Sequence, residues 1–257
     1  MYSILIAAAA ALLVILVWGL VPIWGGWGLG IFLGFLVFAV TWIWFARRLR
    51  RVIEPSFLQA QKLAESGRVE QAVDVLESML PLGKWMPMLT GQLHAQIGIF
   101  AHHLGDKEKA LEHLTKASKR ASEGQLLLAT IHYKDGRFDA TKRVLDKAIP
   151  YNRRNVLLYH AYAWILHKEG DTPGAMAVLQ RHLAKEKDDE TSKSNLLRLQ
   201  NGNKPNMGVF GMQWYALGFE RPPQSMGQLQ QARKGFRQPP KTPGKRQDKK
   251  RKGKGRR

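Results

Sequence analysis

The side chains best suited to chemistry in this chain are eight histidines, at positions 94, 102, 103, 113, 132, 160, 167 and 182. An imidazole can serve as a general base or a metal ligand, but only beside suitable partners. No H-E-x-x-H or other metal-ligating spacing occurs among them. His160 and His167 stand seven residues apart, two turns along one helix, too far along its axis to share an ion easily. The chain has no cysteine, which excludes disulfides, thiol nucleophiles, iron–sulfur clusters and cysteine-ligated zinc. No glycine-rich phosphate loop and no G-x-S-x-G elbow after a strand is present. The terminal Gly-Lys-Gly-Arg-Arg lacks the strand and helix that a phosphate loop needs. A catalytic role, a cofactor and a metal are therefore not expected.

What remains is charge. The net charge is +20 on 257 residues, from 40 Lys and Arg against 20 Asp and Glu. It is concentrated in two places. Residues 233–257 hold 13 Lys and Arg and one acid, Asp248, and Arg47, Arg48, Arg50 and Arg51 form a second cluster. The body between them is close to balanced. Such cations recruit anions, either acidic lipid headgroups or nucleic-acid phosphates.

The elements that position these charges begin with two uncharged apolar runs, residues 2–21 and 29–46. Eighteen residues of helix reach about 27 Å, close to the hydrocarbon core of a bilayer. Between the runs, Pro22, Gly25, Gly26 and Gly28 favour a tight reversal, so residues 1–46 read as a transmembrane helical hairpin. A cleaved signal peptide fits poorly, because no Lys or Arg precedes the first run and a second run comes after it. Trp18, Trp24 and Trp27 at the turn end, with Trp42 and Trp44 at the other, resemble two interfacial belts. Gly30 and Gly34 make a G-x-x-x-G pair, suited to close approach of two helices, with packing of the hairpin against itself as the simplest reading. The arginines after the second run place that end, and both termini, in the cytoplasm. Pro55 is expected to end any helical extension of the second span, leaving 47–56 as a basic juxtamembrane linker.

The middle of the chain repeats. Gly67/Ala72, Gly105/Ala110, Gly136/Thr141 and Gly170/Ala175 are each followed four residues later by Leu76, Leu114, Leu145 and Leu179. Seven residues before each glycine stands Ala60, Gly98, Ala129 or Ala163, and the steps between repeats are 38, 31 and 34 residues. A period near 34 predicts stacked helical hairpins. The small residues would let paired helices cross closely, the leucines would fill the space between repeats, and the glycines would end the first helix of each pair. No strand is predicted; the fold class is all-α. Residues 188–201 read as a closing helix, started by Asp188 and Asp189 and stopped by Gly202.

The segments LAESGRVEQAVDVLESM, FAHHLGDKEKALEHLTKA, IHYKDGRFDATKRVLDKA and WILHKEGDTPGAMAVLQRH resemble the tetratricopeptide repeat family over about residues 53–187. Two departures are visible. Thr141 replaces the usual alanine, and the first repeat is followed by PLGKWMPMLTG, which could protrude. The resemblance implies an α-solenoid of about four repeats that binds proteins in a concave groove lined by the first helix of each hairpin. Mapped onto this chain, the groove positions are Gln92, Ile99, His102, Leu126, Thr130, Tyr133, Lys134, His160, Trp164, His167 and Lys168. This aromatic, mildly basic surface would suit an acidic or C-terminal peptide. For each of these residues, ordinary packing or solvation is the competing reading.

The repeat domain with its closing helix is thus expected over 57–202. Residues 203–220, rich in apolar and aromatic side chains, are too apolar for a free linker. They read as a strap, docked on the last repeats or filling the groove. From 221 the chain reads as a disordered basic tail. Its Lys245, Arg246, Lys249, Lys250, Arg251, Lys252, Lys254, Arg256 and Arg257, with the juxtamembrane arginines, would meet anionic lipid, RNA or nothing dedicated. Two functions are open to such a chain. The first is a membrane-anchored protein-interaction scaffold; its layout, though not its motifs, resembles bacterial inner-membrane proteins with short anchors and helical repeats, a resemblance that implies envelope biogenesis or complex assembly. The second is a membrane tether for RNA or ribosomes acting through the tail.

Overall fold

The computed structural model describes residues 2–20, 26–86 and 89–223, in two units, residues 1–210 and 211–257. All regular structure among the described residues is helical. The first unit opens with α1 (Tyr2–Leu20) and α2 (Gly26–Glu65), packed side by side. Both are long and apolar enough to cross a bilayer, with mean hydropathy 2.7 and 2.2 over the best window. Only 17% and 11% of those windows are buried, unlike the core helices of a soluble protein. What is buried is small: Ser3, Ala7 and Ala11 on α1, Gly30 and Gly34 on α2. A Cβ at Gly34 would come within 2.5 Å of Ile15 Cγ1 and 3.1 Å of the Ala11 carbonyl, and one at Gly30 within 3.2 Å of Trp18 Cβ. The G-x-x-x-G pair therefore packs the hairpin against itself. The turn between the helices, including Trp24, lies outside the described residues.

The expected break at Pro55 does not occur. α2 runs 40 residues, straight through Pro55 and the whole of 47–56, so that segment is helix and the first repeat begins inside α2. A proline in a helix interior costs about 3 kcal/mol. The compensation is a stripe formed by Leu49, Ile53, Phe57, Ala60 and Ala64, spaced for one helical face on both sides of Pro55. Ile53 and Ala60 are buried in one core cluster with Ala72, Val73, Leu76, Leu93 and Ile97, and Leu49, Phe57 and Ala64 pack against it half-buried. Pro55 itself stays exposed, and the Ser56 hydroxyl donates to the Val52 carbonyl at 3.1 Å.

Seven helices complete the hairpins, α3 (Val69–Ser78), α4 (Leu89–His103), α5 (Lys107–Lys116), α6 (Ser122–Lys134), α7 (Phe138–Ala148), α8 (Val156–Lys168) and α9 (Thr172–Leu183), and α10 (Glu190–Gln200) closes the stack. The pairs are α2–α3, α4–α5, α6–α7 and α8–α9. Each turn is built alike. Gly67, Gly105, Gly136 and Gly170 have φ of +82°, +85°, +72° and +88°. The next residue's N–H reaches back five positions: Arg68 to Leu63, Asp106 to Ala101, Arg137 to His132 and Asp171 to Leu166, all at 2.9–3.0 Å. This closure satisfies the last carbonyls of the first helix, and the left-handed φ is why glycine stands there. Asp106 and Asp171 then cap the second helices, accepting from the N–H of Lys109 and Gly174.

The small residues and leucines of the repeat are buried throughout. Thr141 fits at the alanine position because its hydroxyl finds carbonyls there, Arg137 at 3.1 Å and Ala129 at 3.4 Å; buried without them it would be destabilising. Asp189 caps α10, accepting from the Ser192 N–H, and Gly202 ends it at φ +72°.

The segment after α3 does not protrude. Leu80–Lys84 forms a 3-10 turn, and Trp85 then folds onto the hairpin. Its carbonyl accepts from the Ser3 hydroxyl, and its ring meets Tyr2 edge-on at 5.6 Å and stacks on Phe45 at 6.4 Å. Pro87 and Met88 lie outside the described residues.

Residues 203–210 dock on the closing helix. Asn195 donates to the Asn206 carbonyl and accepts from the Asn206 N–H at 2.7 Å, and Arg198 donates to the Lys204 carbonyl. Phe210 lies 5.0 Å from the His160 ring. Of the two readings of the strap, this part matches docking on the last repeats. The second unit, taken by itself, has a single-turn helix α11 (Met212–Tyr215). Within it the Trp214 indole N–H donates to Glu220 at 2.9 Å and the ring packs on Phe219.

Candidate partner-binding surface

The first helices of successive hairpins, α4, α6 and α8, carry the expected groove residues, but not all of them as surface. Leu126, Thr130 and Trp164 are buried, and His160 has no exposure at all. The Thr130 hydroxyl donates to the Leu126 carbonyl at 2.8 Å. His160 bonds through Nδ1 to the Val156 carbonyl at 2.8 Å and lies under Ser192 of α10 and Phe210. Ile99 packs on the core cluster of Ala101, Ala110 and Leu114. His167 turns to the Thr172 hydroxyl at 3.1 Å, joining α8 to α9. These side chains build the stack, and His160 is withdrawn from any groove because the closing helix covers it.

The residues left facing outward are Gln92, Lys134 and Lys168, with His102 and Tyr133 half-buried. Tyr133 sits edge-to-face with Trp164 at 6.4 Å and donates its hydroxyl to Glu169 at 2.9 Å, bridging α6 and α8. Burial, then that hydrogen bond, pushes the Tyr133 phenol up to about 12, so it stays a neutral donor. Burial lowers the His102 pKa, helped by Lys134 and His103. The result is a neutral aromatic strip edged by two lysines, with Glu169 a member that sequence reasoning did not single out.

A concavity outside this strip was also not anticipated. A cavity of about 730 Å³ opens between the end of α2, α3 and α4, walled by Phe57, Gln61, Ala64, Gln96, Phe100 and His103 among others. Its signal lay in the i, i+4, i+7 spacing of Phe57, Gln61 and Ala64. The same spacing serves an ordinary packed helix face, so it does not by itself mark a cavity.

Among the charged candidates, Arg47, Arg48, Arg50 and Arg51 all lie exposed on α2, with the Arg48 guanidinium 5.4 Å from the centre of the Trp44 ring. Lys245 to Arg257 lie outside the described residues. No group of three or more potential metal-ligating side chains occurs among the described residues.

The histidines have a measurable consequence instead. His94 and His113 meet Nδ1 to Nδ1 at 3.1 Å, a contact that holds only while one nitrogen is bare. Burial, ahead of other causes, lowers the pKa of His94, His113, His132 and His160 from the ordinary 6.5. A lowered folded pKa means the unfolded chain binds protons first as pH falls. Their contribution is therefore intact above 6.5 and lost as pH drops through the folded values. The thermal midpoint should decline as pH falls below 6.5, and His160→Gln should flatten that decline; a midpoint flat through this window would contradict the assignment.

Comparison with known proteins agrees with this geometry. The sequence matches the tetratricopeptide repeat family over residues 158–193, the span of α8, α9 and the start of α10. No curated protein and no solved structure matches the chain. With the glycine-closed helical hairpins around it, the match identifies a tetratricopeptide repeat at residues 158–193, a module whose general role is protein–protein interaction.

Proposed function

We propose that the protein is a membrane-anchored interaction scaffold that holds its repeats at the cytoplasmic face and recruits a protein partner, in envelope biogenesis or complex assembly. The observation that carries this reading is the continuity of α2, in which the second apolar segment and the first helix of the first repeat are one helix. The exposed arginines between them supply the positive flank that stays cytoplasmic. The outward strip of His102, Tyr133, Lys134 and Lys168 favours an extended acidic or C-terminal peptide, and the first-hairpin cavity offers an apolar pocket beside Gln61 and Gln96.

Crosslinking from intact membranes tests it, with full-length protein and with residues 233–257 deleted. Protein partners should persist after the deletion and fall away when Lys134→Glu and Lys168→Glu are combined. Protease added to the outer side of sealed cells should leave the repeats intact. Digestion of the repeats would defeat the cytoplasmic placement. RNA that co-purifies at moderate salt and is lost with the tail, without protein partners, would favour the tether reading instead.

A further inference from the structure

Trp85 and Met86 are large apolar residues left 37% and 36% exposed in a segment that the repeat does not need. They do not sit at random on the surface. Tyr2 and Ser3 are in the first turn of α1, so they mark one edge of the apolar hairpin. Phe45 comes at the same edge, at the end of the apolar run in α2. Trp85 touches all three, through its carbonyl, its edge and its face. A cavity of about 200 Å³ between Ser3, Trp42, Phe45, Leu49, Trp85 and Met86 continues this edge. Trp44, with Arg48 over its ring, directly precedes Phe45 on α2 and meets its ring edge-on at 5.1 Å.

We propose that the Leu80–Met86 segment is a third contact with the bilayer, with Trp85 and Met86 seated in the headgroup layer of the leaflet that receives the N-terminus of α1. This rests on the hairpin being a membrane anchor. The occupant is lipid rather than a protein, because the patch is continuous with the exposed apolar faces of α1 and α2 and stands level with the arginine cluster. An indole ring at that depth has its apolar body in the acyl boundary and its N–H among headgroups. The loop inserted after the first hairpin thus holds the repeat stack down on the membrane at a second point beside α2.

The absence of cysteine makes the test direct. Single substitutions Met86→Cys, Thr115→Cys and Phe35→Cys in the full chain are labelled with an environment-sensitive dye. Each protein is reconstituted in vesicles of three parts phosphatidylethanolamine to one part phosphatidylglycerol, chosen on the order of an inner-membrane anionic content. On this proposal the M86C label emits to the blue of the T115C label, loses quenching by aqueous iodide, and is quenched by lipids carrying a spin label near the headgroup. An M86C label as open to iodide as the T115C label, with the F35C label shielded, overturns the loop contact while leaving the anchor standing. An F35C label open to iodide overturns the anchor, and the loop contact with it.

Discussion

Replacing Gly98 by alanine is expected to cost about 1–3 kcal/mol of folding stability, as overpacking does in a tight core. The methyl group would stand 2.6 Å from Leu114 Cγ and 3.2 Å from the Ala110 carbonyl. Leu114 has no exposure and cannot swing into solvent, and the carbonyl belongs to the α5 backbone. Leu114→Ala alone should cost about 2–5 kcal/mol, through lost burial and the cavity left behind. Combined, the two should cost less than their sum by about 0.5–3 kcal/mol, because the new methyl enters the space that Leu114 vacates. Urea titration in mild micelles, followed by far-ultraviolet circular dichroism, gives all four corners of the cycle. Strict additivity would mean that α4 and α5 do not cross at Gly98.

The second large effect is at Gly34. In the proposed bilayer setting lipid tails are as apolar as leucine, so hydrophobic burial would not press the hairpin together, and its helices would adhere by close contact of small residues. Gly34→Leu would drive a branched side chain into Ile15 and the Ala11 carbonyl. It should part α1 from α2, lowering the sodium dodecyl sulfate concentration at which Trp18 and Trp27 change their fluorescence. These two rings report the contact because Trp18 packs at Gly30 and Trp27 over Gly19. Phe35→Leu, one residue away on the exposed face, should leave the transition where it is. If both variants shift it equally, hydropathy rather than fit holds the hairpin.

The hairpins were legible in the sequence because their geometry imposes residue types at fixed spacing. A left-handed turn demands glycine, and a close crossing demands alanine or glycine seven residues before and five after it. Those demands are local and periodic. Gly124, whose Cβ would lie 3.0 Å from that of Ala95, was not singled out because its contact joins α4 to α6, outside the periodic pattern. The fate of Pro55 was not legible either. A local penalty of about 3 kcal/mol was outweighed by a stripe from Leu49 to Ala64 whose partners lie on α3 and α4. The groove was only partly legible. Helical periodicity separates a buried face from an open one, but His160 was covered by α10 and Phe210, segments outside its own hairpin. Lys134 and Lys168 stay exposed and Tyr133 half-buried.

The unbroken 40 residues of α2, about 60 Å at about 1.5 Å per residue, also bear on mechanics. A scaffold on a floppy leash samples a sphere of positions and meets its quarry by chance. One that grows out of its own bilayer segment without a joint keeps a set height and azimuth. Under the proposed anchoring, rotation or tilt of the apolar half of α2 is handed directly to the first hairpin, and a pull on the stack is felt among the lipids. Under that proposal the protein is a lever arm, and inserting two glycines after Glu54 would turn it into a leash.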